Sequence, residues 1–215
     1  MVIIHKYKCL FIELPRTATT AISNKLMESY DGNDILYDHD TYKNFLKIAT
    51  DEEKKYFTFS CIRNPIDRTY SYYVKYKNSS YDYLLEKERR KGSLISYFFR
   101  KRRLKWFKKH NPDFFSFLKK YYKLPYCDWS CLNSKDFNFI IRFENLEEDF
   151  FKALNLIGIK PKRLLPQLNV TKGKKSDYMK DFSPEQVKDV KKNFGPFMEG
   201  GVIVSHPIGV IMIIL

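Results

Sequence analysis

The sequence has little of what marks secreted, membrane or disulfide-rich proteins. Its four cysteines are too few and too scattered for a disulfide framework. Cys9 and Cys61 lie in strand-like runs, where we expect small buried hydrophobic residues. No apolar stretch approaches the ~20 residues that a membrane span needs, and the first residues show no signal-peptide pattern. If Met1 is the true start, the sequence predicts a soluble, cytoplasmic protein.

Metal-ligand patterns and internal repeats are also missing. Cys127 and Cys131 could lie one helical turn apart, but no second Cys/His pair stands at zinc-ligand spacing, so we expect no metal site. The 215 residues suit one domain, at roughly 100–200 residues per domain. We expect that domain over residues 1–195, with a helical insertion at 81–133 and an apolar tail of undefined structure at 196–215.

Acidic residues are outnumbered by basic ones. Lys and Arg number 39 against 25 Asp and Glu, which gives a formal net charge of +14. Such a surface attracts polyanions, but it does not distinguish nucleic acid, a phosphorylated cofactor, an anionic glycan or a membrane surface. The densest positive charge lies at residues 87–110, interleaved with aromatic residues. Taken alone, this stretch predicts a basic outer helix face over an aromatic inner face.

Strand-like and helix-like segments alternate along the chain, which predicts an α/β fold. We expect a P-loop-NTPase-like parallel sheet flanked by helices, with the basic helical insertion added to it. The predicted strands are residues 7–14, 56–62 and 137–143. Helices are expected at AISNKLMESY, after Asp38, after Asn64-Pro65, from Glu144 to a cap at Gly158, and from the capping box at Ser183 to about Asn193.

The first candidate site is the turn that follows the strand at residues 7–14. A strand that turns sharply into a helix leaves unpaired backbone N–H groups at the helix N-terminus, where the helix dipole favours negative charge. Three threonines and an arginine suit this turn to a phosphate-like group; its residues are Pro15, Arg16, Thr17, Ala18, Thr19 and Thr20. The glycines of a Walker A loop are missing. The alternative is a simple helix cap beside a solvated arginine.

A second strand-to-helix turn follows the strand at residues 56–62. Arg63 lies at the carboxyl end of that strand, and Ser71 lies about two turns into the next helix. In an open parallel sheet, ligands bind beyond the carboxyl ends of the strands. Two such turns could therefore hold two separate phosphates of one nucleotide. The alternative is an ordinary capped helix with Asp67 and Arg68 on its solvated face.

The two turns resemble motifs of the sulfotransferases that use 3′-phosphoadenosine-5′-phosphosulfate (PAPS). PRTATT is similar to their 5′-phosphosulfate loop, P-K-T-[AG]-[ST]-[TS]. The later segment is similar to their 3′-phosphate motif, R-N-P-x-x-R-x-x-S-x-Y, and matches it at Arg63, Asn64, Pro65, Arg68, Ser71 and Tyr73. Order and separation suit the membrane-type, carbohydrate-directed branch. His39, IIRFENLEEDF and LPQLNVTKGKKSDY agree with that branch, so the resemblance covers residues 7–195.

This resemblance implies transfer of a sulfuryl group from PAPS to an acceptor hydroxyl or amine, without a metal. Arg63 and Ser71 are then expected to bind the 3′-phosphate, which separates PAPS from ATP. The 5′-phosphosulfate is expected to bind the first turn, through the backbone N–H groups of residues 17–20 and through Pro15, Arg16, Thr17, Ala18, Thr19 and Thr20. Asn169 and Lys172 are also expected at the nucleotide, with Lys172, Lys174 and Lys175 either as a flap over it or as solvated side chains. In a sulfotransferase, the basic stretch at residues 87–110 could receive an acidic saccharide.

Two residues are expected to be catalytic, Arg16 and His39. The family usually carries Lys where Arg16 stands. An arginine does not donate a proton near neutral pH, but its planar guanidinium group can bind oxygens of both phosphate and sulfate. His39 is the predicted base for the acceptor's proton, with Glu144 in reserve. Ala18 occupies a position where the family also allows Gly, so we expect the loop to avoid a positive φ there.

Two other functions are compatible with the composition. A basic nucleic-acid-binding protein without catalysis would use the aromatic and basic residues of 87–110, but it would leave both turns unexplained. A nucleotide kinase would use the strand–loop–helix cradle, but the Gly-Lys-Ser/Thr of that class is missing. We therefore expect no nucleic-acid partner. Among acceptors, the resemblance favours a glycan, and a lipid, a peptide tyrosine or a small metabolite stay open, as does the oligomeric state.

Overall fold

The computed structural model describes residues 1–36, 40–78, 85, 94–122, 137–161, 164–166, 168 and 171–200. Within these ranges the strands are β1 Val2–Ile4, β2 Cys9–Ile12, β3 Asn33–Asp34, β4 Phe57–Ile62 and β5 Phe139–Arg142. The α-helices are α1 Thr19–Tyr30, α2 Tyr42–Ile48, α3 Pro65–Lys77, α4 Leu94–His110, α5 Phe114–Tyr121, α6 Leu146–Leu156 and α7 Pro184–Gly200.

The described residues fall into two compact units. The sheet unit takes its residues from Met1–Asn64, from Cys127–Val170 and from Phe197 onward. The helical unit takes its residues from Pro65–Tyr126 and from Thr171–Pro196. All five described strands belong to the sheet unit, whereas α3, α4 and α5 belong to the helical unit. A single domain with an insertion at 81–133 stays a prediction.

The sheet has the strand order β3-β1-β2-β4-β5 and is mixed. Strands β2, β4 and β5 run parallel, as predicted, with Phe11 opposite Phe59 and Ser60 opposite Ile140. The antiparallel edge formed by β1 and β3 corrects the expectation of an all-parallel sheet. Its cause is the short connection from β1 to β2, which ends at Lys8 with φ 49°. So short a link joins antiparallel strands, because a parallel pair needs a long crossover.

Both faces of the central strands are covered. Successive residues of a strand point to opposite faces, and along β2 Cys9 and Phe11 pack with α1 and α6, whereas Leu10 and Ile12 pack with α2. All four residues of β2 are at most 1% exposed. Cys9 and Cys61 are buried free thiols, which confirms their prediction as small core residues, and burial raises the pKa of the Cys9 thiol to about 12.

Aromatic side chains form the interior of the helical unit. Tyr73 and Tyr76 of α3 lie 5.8 Å from the ring of Phe117 on α5, and the rings of Tyr76 and Phe107 stack at 5.6 Å. The Tyr73 hydroxyl donates a hydrogen bond of 3.1 Å to the carbonyl of Pro112. Tyrosine can enter a core when its hydroxyl finds such a partner. The high aromatic content of the chain is therefore used partly in packing this unit.

Helix ends follow the local signals in the sequence. The predicted capping box opens α7, because Gln186 N–H donates to the Ser183 hydroxyl at 3.3 Å and Ser183 N–H donates to the Gln186 side chain at 3.0 Å. Helix α7 continues to Gly200, beyond the expected end. Gly158 follows α6 with φ 76°, as a C-terminal cap requires. Asp38, the expected cap of α2, lies outside the described residues; Thr41 caps that helix instead.

No helix in the described ranges is both long enough and apolar enough to cross a bilayer.

Candidate functional site

The turn between β2 and α1 contains two residues in the left-handed region, Arg16 with φ 68° and Ala18 with φ 60°. The expectation that Ala18 avoids a positive φ was therefore wrong. The chain has to turn from a buried strand into a buried helix within a few residues, and Ala18, at the cap of α1, makes that reversal. A left-handed conformation costs a residue with a side chain about 1–2 kcal/mol. Such strain is characteristic of ligand-binding turns.

The start of α1 offers backbone donors to a ligand. Ala18 is left-handed and Thr19 begins the helix, and this succession turns neighbouring N–H groups toward one point, as in the anion-binding nests of other proteins. The Ala18 carbonyl accepts hydrogen bonds from Ala21 and Ile22. Among the residues described, no acceptor is found for the N–H groups of Thr19 and Thr20. The helix dipole adds positive potential at this end.

Thr17 forms the floor of the turn. Its side chain is buried, and its hydroxyl donates a hydrogen bond of 2.9 Å to the Leu14 carbonyl. The Cys61 thiol of β4 lies close to Thr17. Burial raises the pKa of that thiol, and the nearby Glu144 charge raises it further. A hydrogen bond with Thr17 lowers this pKa, but by less than the two other effects raise it. The Thr17 hydroxyl thus stabilises the turn, and its backbone N–H is what the residue offers to a ligand. Thr20, in contrast, is exposed.

The two predicted anion-binding turns meet at the edge of the sheet. Strands β2 and β4 are parallel neighbours, so their carboxyl ends lie at the same edge. Arg63, the first residue after β4, reaches across and donates from Nη1 to the Arg16 carbonyl at 3.4 Å. The side chain of Arg63 is half-buried in this position. A guanidinium group is therefore held directly beside the strained turn.

Two residues after β5 hold the second turn in place. Ile62 is paired with Arg142, so the residues that follow, Arg63 and Phe143, lie side by side. The Arg63 guanidinium lies over the Phe143 ring, with Cζ 4.1 Å from the ring centroid. Glu144 accepts a hydrogen bond of 2.8 Å from the backbone N–H of Asn64. Phe143 was not among the predicted site residues, although it stands at the carboxyl end of the predicted strand at residues 137–143.

Comparison with known proteins identifies the family. The profile of the sulfotransferase family matches residues 1–196. The chain belongs to the sulfotransferase family. Searches of curated proteins and of solved structures found no significant match. Membership confirms the predicted resemblance and supports sulfuryl transfer as the general activity of this transferase. The family profile spans both turns at the sheet edge and the β5–α6 element beside them.

The remaining site residues of this sulfotransferase are partly described. His39 and Asn169 lie outside the described residues, so their roles stay predictions. Ser71 is buried in the helical unit, where its hydroxyl donates to the Asp67 carbonyl at 3.1 Å. Lys172 is exposed.

The segment after Thr171 packs along α3 within the helical unit. Asn78 donates from its side chain to the Lys172 carbonyl at 2.9 Å. Lys174, expected to belong to a flap, is ion-paired with Asp67. Gly173 between them has φ 72°, and a Cβ there would approach the Asn78 amide to 3.3 Å. Two contacts therefore hold this segment on α3, while the Lys172 side chain still points to solvent.

Proposed function

We propose that this protein transfers the sulfuryl group of PAPS to an acceptor hydroxyl, on a carbohydrate. One observation carries the proposal: Arg63 donates to the Arg16 carbonyl at 3.4 Å, so the two anion-binding turns adjoin at one edge of the sheet. PAPS carries a phosphosulfate at its 5′ position and a phosphate at its 3′ position. Two adjacent cationic turns suit a nucleotide with two separated anionic groups.

The first turn supplies the proposed 5′-phosphosulfate site. The N–H groups of Thr19 and Thr20, the helix dipole and the exposed Thr20 hydroxyl all favour an anion there. The turn is then a glycine-poor equivalent of a P-loop, in which Ala18 takes the left-handed conformation that a glycine usually supplies. Arg16 stabilises the negative charge that develops on the leaving phosphate as the sulfuryl group departs.

The second turn supplies the proposed 3′-phosphate site. Arg63 is oriented by the Phe143 ring and by the Arg16 carbonyl, so little side-chain freedom is lost when a phosphate binds. A bound phosphate would gain a charge-assisted hydrogen bond from the guanidinium. The motif also assigns Ser71 to this phosphate, and a Ser71→Ala variant tests that assignment. ATP lacks the 3′-phosphate and would lose these interactions.

The transfer step needs a nucleophile, a base and a stabilised leaving group. The acceptor oxygen forms a bond to sulfur while the bond from sulfur to the bridging phosphate oxygen breaks, and the electron pair stays on the departing phosphate. His39 accepts the proton of the acceptor hydroxyl. A His39→Ala variant should keep nucleotide binding and lose transfer. If its turnover stays comparable to wild type, the assignment of the base is wrong.

Titration with adenosine 3′,5′-bisphosphate, the product nucleotide, tests the proposal by calorimetry. We expect micromolar-range binding that Arg63→Ala weakens by about 10–100-fold, since a hydrogen bond to a charged group contributes about 1.5–3 kcal/mol. Arg102→Ala, at an exposed arginine of α4, is the matched control and should bind like wild type. Preference for ATP would favour a nucleotide kinase. Binding only to oligonucleotides, with strong salt dependence, would favour a nucleic-acid-binding protein.

The acceptor is tested with labelled PAPS and a panel of compounds. Transfer to oligosaccharides is the expected outcome, because the order and spacing of the motifs resemble the carbohydrate-directed branch. Transfer only to phenols, tyrosine peptides or lipids would retain the sulfotransferase activity and replace the proposed acceptor class.

A further inference from the structure

The outward face of α4 combines dense positive charge with exposed aromatic rings. Leu104 and Phe107 are 5% and 3% exposed and pack into the helical unit. Residues spaced three, four, seven and eleven positions after Phe98 share the opposite face of the helix. They are Lys101, Arg102, Lys105 and Lys109, all of them exposed. We call these four residues the basic face of α4.

The positive charge of this face is not neutralised by its own helix. Helix α4 contains no acidic residue. Across the described ranges, Arg102, Lys105 and Lys109 have no ion-pair partner, and Lys101 contacts the Tyr97 ring, with Nζ 5.5 Å from its centroid. At 1.5 Å per residue, the face extends over about 12 Å of helix from Lys101 to Lys109. Like charges held this close repel one another, so an anionic surface laid against the face would relieve that repulsion.

Two exposed aromatic rings lie near the N-terminal end of this face, Phe98 in line with the four cations and Phe99 about 100° further around the helix. Phe98 is 64% exposed and its neighbour Phe99 is 70% exposed. Among the described residues, Phe98 and Phe99 are the phenylalanines with exposed rings, and they are adjacent in sequence. Exposing two neighbouring phenyl rings to water is unfavourable, and exposed apolar patches of this kind mark interaction surfaces. A partner for this face therefore has both an anionic layer and an apolar layer.

We propose that the basic face of α4, together with Phe98 and Phe99, docks the protein on an anionic lipid membrane. Lipid headgroups supply the negative charge for the four cations, and the acyl region immediately below them accepts the phenyl rings. An acidic glycan would also satisfy the cations, but it offers no apolar layer into which both phenyl rings can insert. This proposal does not depend on the identity of the sulfuryl donor or acceptor.

Sedimentation of the full chain with vesicles tests the proposal. We expect binding to vesicles of 70% phosphatidylcholine and 30% phosphatidylserine, and at least tenfold weaker binding to vesicles of phosphatidylcholine alone. Lys105→Glu with Lys109→Glu should reduce binding at least tenfold. Lys188→Glu with Lys192→Glu is the matched control, because these exposed lysines are also four residues apart on a helix and the change in net charge is equal.

A second pair of substitutions tests the phenyl rings. Phe98→Ser with Phe99→Ser leaves the charge unchanged and should weaken binding to the phosphatidylserine vesicles severalfold. Retention of full binding by this variant overturns membrane docking, as does equal loss in the two lysine variants. If a single-stranded oligonucleotide binds in preference to the vesicles, and the α4 lysine variant removes that binding, the face is a nucleic-acid site instead. Circular dichroism of each variant establishes that it is folded.

Discussion

The ion pair between Arg142 and Asp149 stabilises the connection from β5 to α6, and its removal is the most direct test of the sheet unit. Asp149 is 2% exposed and accepts three hydrogen bonds from Arg142: from Nε at 2.7 Å, from Nη2 at 2.8 Å and from the backbone N–H at 3.0 Å. Phe143 and Glu144, which contact Arg63 and Asn64 of the second turn, lie within this connection. We choose the substitution Asp149→Asn, which keeps the size of the side chain.

The expected loss of stability follows from burial and geometry. Breaking a buried pair costs about 3–5 kcal/mol, because an uncompensated charge is left behind. The Arg142 side chain is 28% exposed, so water can solvate part of its charge. The asparagine side chain in the variant would also keep one acceptor oxygen. We therefore expect a loss of about 2–3 kcal/mol, which corresponds to a shift of about 1 M in the midpoint of urea unfolding.

The pH dependence of this loss has a definite sign. Burial raises the pKa of Asp149, but the hydrogen bonds from Arg142 outweigh it, and the pKa lies below its usual value of 3.8. A depressed pKa contributes stability that is fully present above the unfolded value and is lost as the pH falls through the folded value. The difference in the free energy of unfolding between wild type and Asp149→Asn should therefore be constant at neutral pH. It should shrink only when the pH falls below the usual aspartate pKa of 3.8.

Urea unfolding of both proteins, followed by circular dichroism from neutral to acidic pH, measures this difference. Glu148→Gln is the matched control, because Glu148 is 66% exposed and its pair with Lys152 lies on the surface of the same helix. It should cost less than about 1 kcal/mol. Equal losses in the two variants, or a difference that already shrinks between neutral pH and the usual carboxyl range, would refute this reasoning.

Three further predictions concern the two turns. Ala18→Gly should stabilise the protein by about 0.5 kcal/mol in urea unfolding, because it relieves the left-handed strain, whereas Ala21→Gly inside α1 should destabilise it by about 1 kcal/mol; destabilisation by both would contradict the strain. Phe143→Ala should weaken binding of adenosine 3′,5′-bisphosphate by about 3–10-fold in calorimetry, and Phe143→Tyr should restore it; unchanged affinity in Phe143→Ala would mean that the ring does not orient Arg63. Arg16→Lys should retain or raise transfer of labelled sulfate, and complete loss would show that the planar guanidinium is essential.

Local sequence patterns were sufficient for three of the five described strands and for the family. Strands β2, β4 and β5 could be predicted because each is a short run rich in apolar residues. Strand β2 is buried throughout, β4 is buried at every position except Phe57, and β5 is buried at Ile141. The cap at Gly158 and the capping box at Ser183 could be predicted because their hydrogen bonds join residues close in sequence. The two predicted anion-binding turns were recognisable as motifs for the same reason, since each motif is contiguous.

The geometry of the site depended on contacts that no local pattern contains. Arg63 meets Arg16 across 47 residues, and Glu144 holds Asn64 across 80 residues, because three strands distant in sequence are neighbours in the sheet. The positive φ of Ala18 was mispredicted for a related reason: residue preference disfavours it, but packing of β2 and α1 into one core requires it. The sequence alone therefore determined which residues form the two predicted anion-binding turns, and the parallel register of the sheet decided which of them lie together.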